Sequence, residues 1–396
     1  MFDSEQHARL DFAKFAFGRK SEGKRKKTHT HERACAGALA STAVNEVSLE
    51  DYGAQKSTAI TVARRLAEFL GDGISAELSE SVHKVAESLP LNVQFHPVDL
   101  TLESRRRDAD ACYDAALAAI QKHGIAMKYP TVTEAESPNK VLRERCHFSV
   151  IHRPVASLPG VETRHQGNLN LHIIRIAVGG TYEDAGRRIG DEVAVSIRVI
   201  ERQPAREAAL YGFRLARRLG CDLVSSSKYT IQRATDGFFE EIVRDVATEF
   251  DDVGHQSELF DALLYKMLRA PEDYRIVVTP NEYGDFLSDM ACGMVGSIGL
   301  GASANYSFDE KGETKLAMFD PAGGTAPDIA GQGICNPSAA LLAFGMLLTH
   351  SGFRGLGTLI EEGVRGCIAN GESTGDLGGK LSTTQFTEAV CKHVRA

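Results

Sequence analysis

Two aspartates, Asp285 and Asp289, have the spacing of carboxylates that share one face of a helix. Residues 275–279 are β-branched and predict a buried strand, residues 280–284 predict a turn, and residues 285–294 have the apolar spacing of a helix. Like charges four residues apart repel. A Mg²⁺ ion at the helix N-terminus would relieve this repulsion, because it favours one or two carboxylates plus substrate oxygens. The alternative is that Asp285 caps the helix and Asp289 is a solvated first-turn residue.

Three arginines are candidates for anion binding. Arg143 and Arg153 lie in a polar and cationic segment, and Arg175 ends a predicted strand that is soon followed by Tyr182. Three guanidinium groups around one site would form bidentate clamps for a polycarboxylate. The alternative is three unrelated surface arginines.

Lys228 follows a predicted strand, and Asp261 begins a predicted helix. A lysine in this position is usually exposed, but beside a metal or a substrate a lowered pKa would let it act as a base. Asp261 has the same ambiguity as the aspartate pair.

Residues 320–337 form a long segment rich in glycine and proline. Such a loop supplies free backbone N–H groups and permits close approach, as a nucleotide-binding loop requires. It could equally be a connection, although loops of this length in compact domains tend to be functional. The glycine turn at residues 71–74 could hold a phosphate, but it lacks the dinucleotide G-x-G-x-x-G pattern.

The elements that must position these residues alternate along the chain, which favours an α/β fold with a largely parallel sheet. The predicted strands include residues 91–95, 125–128, 171–175, 193–201 and 221–225, and the predicted helices include residues 77–89, 111–123, 205–219 and 338–349.

With 396 residues the chain is long enough for two domains, and its net charge of −8 argues against nucleic-acid binding by the folded body. No apolar run reaches the length of about 18 residues that spanning a membrane requires. The eight cysteines are scattered without a Cys-x-x-Cys pair, which suits free thiols in a reducing compartment.

Residues 1–56 differ from the rest, since residues 18–33 form a basic, histidine-containing block. Such a block is usually a solvated tail, and the alternatives are a targeting segment or a nucleic-acid-binding arm. Asp3 and Glu5 do not suit a transit peptide. We therefore expect a cytoplasmic protein, or a mitochondrial one if the block is a targeting segment.

Two motifs together resemble the isocitrate/isopropylmalate dehydrogenase family, the metal-dependent β-decarboxylating dehydrogenases. The first is Asn281-Glu-Tyr-Gly-Asp-Phe-Leu-Ser-Asp289, extended through Gly293 and Gly296 to Gly301. The second is Gly324-Thr-Ala-Pro-Asp-Ile-Ala-Gly-Gln-Gly-Ile-Cys-Asn-Pro337, similar to the family's adenosine-side loop. The resemblance extends over residues 57–396 in the family's motif order.

The resemblance implies a role for each matching position. Asp285 and Asp289 would bind Mg²⁺ or Mn²⁺, with Asp261 from the other subunit as a third ligand. Lys228, also from the neighbouring subunit, would be the base-side residue and Tyr182 the acid that protonates the enolate. The substrate would be held by Ser137, Asn139, Arg143, Arg153 and Arg175, and the cofactor by Thr131, Gly324, Thr325, Ala326, Pro327, Asp328, Ile329 and Asn336.

The resemblance also implies the architecture. We expect an isopropylmalate dehydrogenase-like fold, with a large α/β domain from residues 57–148 and 296–396. A smaller central α/β domain of residues 149–295 would carry a dimerising clasp. The active sites would be shared within a homodimer.

Ser137 and Asn139 resemble the residues of the isocitrate branch at these positions. Asp328 resembles the residue of the NAD-preferring form of the loop, because a carboxylate accepts hydrogen bonds from ribose hydroxyls and repels a 2′-phosphate. Two departures from the family stand out. Residues 176–179 are Ile-Ala-Val-Gly where the family has Glu-Asn-Thr-Glu, and Gly323 replaces a histidine.

Three hypotheses follow. The first is NAD-dependent oxidative decarboxylation of isocitrate or a closely related 2-hydroxy polycarboxylate. The second is the same chemistry on isopropylmalate, malate or tartrate. The third is a non-catalytic regulatory subunit, against which the retained lysine, tyrosine and carboxylates argue.

Overall fold

The computed structural model describes residues 63–163, 165 and 168–395, so the basic segment of residues 1–56 lies outside the described residues. Its strands are β1 (Ala63–Leu70), β2 (Asn92–Asp99), β3 (Ile125–Lys128), β4 (Val150–Ala156), β5 (Asn170–Ile176), β6 (Arg187–Ile189), β7 (Val193–Val195), β8 (Leu223–Ser227), β9 (His255–Leu259), β10 (Ile276–Thr279), β11 (Ala302–Phe308) and β12 (Thr314–Pro321).

The helices of the described residues alternate with these strands in the first two thirds of the chain and follow one another at its end. They are α1 (Ser75–Ala86), α2 (Leu102–Arg107), α3 (Ala109–His123), α4 (Pro138–Arg145), α5 (Arg202–Leu219), α6 (Asp236–Ala247), α7 (Phe260–Arg269), α8 (Asn281–Val295), α9 (Ser338–His350), α10 (Arg354–Ala369) and α11 (Thr383–Arg395).

Ten strands form one sheet in the order β2-β1-β3-β12-β11-β4-β5-β10-β8-β9. Most neighbours are parallel, as expected, but the three pairs β12–β11, β11–β4 and β4–β5 in the middle of the sheet are antiparallel. Strands from the two ends of the chain form one half of this order, and strands of residues 150–279 form the other half. The division into two domains at residues 148 and 296 stays a prediction.

Both faces of the sheet are covered. Leu66 belongs to one buried apolar cluster and its neighbour Ala67 to a second, and the same alternation holds for Met127 and Ala126. Adjacent residues of a strand point to opposite faces. The two clusters therefore lie on opposite sides of the sheet, which explains why β10 is buried along its whole length.

The prediction for residues 193–201 was wrong in its extent. Only Val193–Val195 are a strand, and they pair with β6 in an antiparallel hairpin apart from the main sheet. The hairpin exposes Ile189, Val193 and Val195, and Ile197, two residues after it, is also exposed.

No helix among the described residues has both the length and the apolar character needed to cross a membrane.

Candidate active site

One cavity of about 970 Å³ brings together eight of the predicted residues. It is lined by residues from the loop before α4, from α4 itself, from β4 and β5, from the segment after β5 and from α8. The predicted residues in its lining are Ser137, Asn139, Arg143, Arg153, Arg175, Tyr182, Asp285 and Asp289.

The strand register sets the two central arginines on one face of the sheet. Arg175 of β5 pairs with Ile151 of β4, and directly paired residues point to the same face. Arg153 lies two residues after Ile151 and shares that face. Both guanidinium groups therefore point toward α8, which packs against β4 and β5.

Asp285 is the acceptor on which these side chains converge. Arg175 forms a short ion pair with its Oδ1, and Nη1 of Arg153 lies 3.2 Å from the same oxygen. The Tyr182 hydroxyl donates to Oδ2 at 3.2 Å. Arg153 also donates to the Ser288 hydroxyl at 2.6 Å, one turn further along the helix. The carboxylate is thus held in a fixed position between two cations.

The predicted start of this helix was wrong. α8 begins at Asn281, so Asp285 lies in the second turn and neither caps the helix nor faces its N-terminal end. Gly284, which suggested a turn, is a packing residue, since a Cβ there would lie 2.6 Å from Cβ of Arg175. Asn281 accepts from Nε of Arg175 at 2.9 Å.

The pair of aspartates experiences unequal surroundings. Burial raises the pKa of Asp285, but Arg175 and Arg153 outweigh it and the net shift is downward. Burial raises the pKa of Asp289, and the charge of Asp285 adds to this shift against the opposing effect of Arg153. Asp289 is the more exposed of the two. Its Oδ1 lies 3.9 Å from Nη1 of Arg153, further than the 3.2 Å that separates the same nitrogen from Asp285.

The arginines repel one another. Burial lowers the pKa of Arg175 to about 9, and the charges of Arg143 and Arg153 contribute to this shift. The same causes, burial first and then Arg153, lower the pKa of Arg143 to about 10. Such a cluster favours an anion that contacts several guanidinium groups at once.

Ser137 and Asn139 form the entry to α4. Ser137 is the residue before the helix, and its hydroxyl makes no capping hydrogen bond. Oδ1 of Asn139 is buried and has no hydrogen-bond partner in the described protein. Two polar groups thus face the cavity with unused hydrogen-bonding capacity, which a bound ligand would satisfy.

A buried polar network behind Arg143 was missed by the sequence reasoning. Nε of Arg143 lies 3.4 Å from Oδ1 of Asn305, whose amide donates to Asp320 at 3.1 Å. Lys128 is also buried, and burial lowers its pKa to about 8 against the opposing charge of Asp320. No local motif could have revealed these residues, because they meet only through the register of β3, β11 and β12.

Lys228 and Asp261 do not line the cavity but pair with each other. The stacking of Phe260 on Tyr283, with ring centroids 4.6 Å apart, places Asp261 near the Tyr283 side of α8. Tyr283 and Asp285 are two residues apart and point to opposite sides of the helix. Within one protomer, α8 therefore separates this pair from Asp285.

The predicted cofactor loop is positioned by the turn before α1. The turn before α1 packs against it, since Ile74 N–H donates to the carbonyl of Thr325 at 3.0 Å. Gly73 in that turn has φ +60°, and a Cβ there would lie 1.9 Å from the same carbonyl oxygen. The Asp328 side chain remains exposed, and Oγ1 of Thr131 is buried without a hydrogen-bond partner among the described residues.

Two carboxylates that brace the loop were also missed. Glu77 accepts from the backbone N–H groups of Gly331 and Gly333 at 3.1 and 2.8 Å. Asp376 accepts from the Asn336 amide at 2.9 Å. The composition around Asp376 is that of a surface turn, so only the folded chain shows this contact.

The departure at residues 176–179 changes the wall of the cavity. Ala177 and Val178 line it with apolar groups, and Gly179 accepts from the Asn281 amide at 3.0 Å through its carbonyl. The segment therefore supports α8 through its backbone and offers no polar side chain to a ligand.

Comparison with known proteins identifies the family of this chain. The sequence model described as isocitrate/isopropylmalate dehydrogenase matches residues 61–390. The Arabidopsis thaliana isocitrate dehydrogenase (NAD) catalytic subunit 5, mitochondrial, is 33% identical over 334 residues, which cover 82% of this chain and 87% of that protein. The 3-isopropylmalate dehydrogenase of Archaeoglobus fulgidus is 32% identical over 329 residues, or 83% of this chain and 98% of that one.

A solved structure supports the same assignment. The isocitrate dehydrogenase from Methylococcus capsulatus superposes with a TM-score of 0.78 and 31% identity, covering 84% of this chain and all (100%) of that one. The predicted family and α/β architecture are confirmed. The chain belongs to the isocitrate/isopropylmalate dehydrogenase family.

Proposed function

We propose that this β-decarboxylating dehydrogenase oxidises and decarboxylates isocitrate, or a closely related 2-hydroxy polycarboxylate, with NAD and Mg²⁺ or Mn²⁺. The observation that carries the proposal is the convergence of Arg143, Arg153 and Arg175 on one cavity with Asp285 and Asp289. Relatives named as NAD isocitrate dehydrogenase subunits support the reaction and the nucleotide.

The charges favour a substrate with several carboxylates. The three arginines outnumber the two aspartates of the cavity, and a bound divalent cation would increase the excess of positive charge. A hydroxy acid with three carboxylates neutralises this excess better than one with two. The polar lining at Ser137 and Asn139 suits the third carboxylate, because the Ser137 hydroxyl and the amide N–H groups of Asn139 can donate to it, whereas an apolar substituent would leave these donors without partners.

The donor set fits a hard divalent cation but is incomplete in one copy of the chain. Asp285 and Asp289 supply carboxylate oxygens of the type Mg²⁺ and Mn²⁺ prefer. Asp261, the proposed third ligand, lies on the other side of α8 in the same protomer. When bound, the cation would polarise the hydroxyl and keto oxygens of the substrate.

The chain's own side chains would perform the remaining steps. The arginines would hold the carboxylates and fix the hydroxyl-bearing carbon relative to the nicotinamide. Tyr182 would protonate the enolate left after loss of carbon dioxide, and its hydrogen bond to Asp285 sets the position of the hydroxyl. Lys228 of a second copy would lie near the substrate hydroxyl and serve as the residue on the side of the base.

The dimer that this site requires has a surface available for it. The β6–β7 hairpin presents Ile189 and Val193 with 54% and 50% of their surface exposed. Helix α7 similarly exposes Tyr265 and Leu268. Exposed apolar patches of this kind mark protein interfaces, so we assign the clasp of a homodimer to the hairpin.

We infer NAD preference from Asp328 within the proposed adenosine loop, because its exposed carboxylate would repel the 2′-phosphate of NADP. We also propose a mitochondrial location, which the names of several relatives support. Imaging of a fluorescent fusion of the full chain tests it, and a uniform cytoplasmic signal would contradict it.

The experiment is an assay of NADH formation by the purified chain with Mn²⁺ and either NAD or NADP. The substrates to compare are isocitrate, 3-isopropylmalate, malate and tartrate. We expect the highest kcat/KM with isocitrate and NAD. A preference for 3-isopropylmalate would favour the isopropylmalate branch of the family. The apolar side chains of Ala177 and Val178 in the cavity wall are the feature that favours this branch. No NADH from any substrate would favour a regulatory subunit.

A further inference from the structure

Three side chains of types that can bind a metal ion converge at a place far along the chain from the active-site residues. They are Cys367 near the end of α10, Glu372 in the turn after it, and His393 near the end of α11. One donor atom from each lies within 4.8 Å of the donor atoms of the other two. No role in the proposed reaction accounts for this arrangement.

The local sequence explains why the first two residues meet. Gly371 has φ +78°, and the N–H of Glu372 donates to the carbonyl of Cys367 at 2.9 Å. This is the Schellman arrangement, in which a left-handed residue turns the chain back over the last helical turn. The turn therefore returns the Glu372 side chain to the neighbourhood of the Cys367 thiol.

Helix packing supplies the third residue. Gly363 and Gly366 form the surface of α10 that faces His393, and a Cβ at Gly366 would lie 3.4 Å from Cε1 of the imidazole. The absence of side chains at these two positions lets the ring lie close to the backbone of α10. The imidazole thus reaches the end of the helix where Cys367 and Glu372 lie.

We propose that Cys367, Glu372 and His393 bind a zinc ion, with water as the fourth ligand. Thiolate, imidazole and carboxylate are the donors that zinc prefers, and tetrahedral coordination separates them by about 3.3–3.8 Å. The three donor atoms already lie within 4.8 Å of one another, so each pair would have to close by only about 1 Å, through rotation of the Glu372 and His393 side chains, to reach this separation. The mixture of sulfur and nitrogen donors also separates this site from the all-carboxylate site of Asp285 and Asp289.

Binding requires the thiol to lose its proton to solvent. Cys367 is fully buried, and burial, with a contribution from Glu372, raises its pKa to about 12 in the metal-free protein. The ion replaces that proton, so binding releases it. The neutral thiol of the metal-free state and the metal-bound thiolate are then distinguishable by spectroscopy.

The segment that follows Glu372 connects the site to the cofactor loop. Asp376 accepts hydrogen bonds from Asn336 and from Ser297, the latter at 2.7 Å. Zinc would fix the start of this segment against both α10 and α11. We therefore expect the ion to stabilise the support of the cofactor loop without contacting the substrate cavity.

Co²⁺ is the probe for the test, because a cobalt–thiolate bond gives a near-ultraviolet charge-transfer absorption that carboxylates do not give. The full chain is stripped with a chelator and titrated with Co²⁺, and Zn²⁺ is then added to displace it. We expect the absorption in the wild type and in Cys391→Ser, a matched control at a second buried cysteine, which lies in α11. Cys367→Ser should lose it.

Two further variants keep the proposal testable if Cys367→Ser does not fold. Glu372→Gln and His393→Gln change residues that border solvent, and each should weaken Co²⁺ affinity at least about tenfold. Added Zn²⁺ should raise the Tm of the wild type and leave that of His393→Gln unchanged. No absorption in the wild type, an absorption that persists in Cys367→Ser, or unchanged affinity in the other two variants would overturn the assignment. None of these readouts depends on the proposed reaction.

Discussion

Replacing Asp285 by asparagine tests whether this carboxylate organises the active site. The substitution keeps the size of the side chain and an acceptor oxygen but removes the charge shared by Arg175 and Arg153. Only 2% of the Arg175 side chain is exposed, so water cannot replace the lost partner. Breaking a fully buried ion pair costs about 3–5 kcal/mol, and the 32% exposure of the Asp285 side chain reduces our expectation to about 2–3 kcal/mol.

The effect on activity should exceed the effect on stability. Asp285 is a proposed metal ligand and also accepts the hydrogen bond of Tyr182. Loss of one preorganised electrostatic group typically lowers the rate about 100- to 1000-fold. Because two functions are lost together, we expect kcat/KM to fall at least about 1000-fold, equivalent to about 4 kcal/mol.

Ser288→Ala is the matched control for this variant. Ser288 accepts a hydrogen bond from Arg153 and donates one to the carbonyl of Asp285, but it carries no charge and is not a proposed metal ligand. We expect a loss of about 1–2 kcal/mol in the free energy of unfolding and kcat/KM within about tenfold of the wild type. The measurements are NADH formation with isocitrate over a range of Mn²⁺ concentrations, and urea denaturation. Equal activities of Asp285→Asn and Ser288→Ala, with the same Mn²⁺ dependence, would refute the role of the carboxylate.

Three other changes follow from the structure. Gly73→Ala forces a Cβ into the carbonyl of Thr325 at a positive φ, so we expect a several-fold higher KM for NAD and a stability loss of about 1–3 kcal/mol by urea denaturation. Asp328→Lys should lower the ratio of kcat/KM with NAD to that with NADP at least about tenfold. Burial lowers the pKa of His172 to about 4, so the unfolded chain binds its proton first and stability falls as pH drops from about 6.5 to 4. His172→Gln should lose less stability over that range in urea titrations.

The residues that could be identified from the sequence share one property. Their type or their spacing stands out from that of the neighbouring residues in the chain. Aspartates four apart on a helix, a glycine-rich loop with a carboxylate, and an arginine at the end of a predicted strand can be recognised from type and spacing. The cavity contains eight of them. What spacing could not provide was the start of α8, because Gly284 has the sequence signature of a turn but serves close packing on Arg175.

The residues that the sequence did not identify have ordinary surroundings in the chain. Lys128 ends a short buried strand, and Asn305 lies within another. Their proximity to Arg143 and Asp320 depends on three strand pairings between distant segments. Burial then changes their chemistry, as the lowered pKa of Lys128 shows. Contacts set by register and burial cannot be read from a single sequence without a family pattern to supply them.

The opposite faces of α8 explain why a single copy of this chain cannot form the whole proposed site. Asp285 and Tyr283 project in opposite directions from one rigid helix, and the Lys228–Asp261 pair lies near the Tyr283 side. Side-chain rotation cannot move Asp261 through the helix to Asp285. In the proposed homodimer, a second copy related by a two-fold axis would present its own Lys228 and Asp261 to the cavity next to the exposed Asp289. In that proposed dimer the ion pair between Lys228 and Asp261 would be exchanged for contacts with metal and substrate, and assembly would be a condition for catalysis.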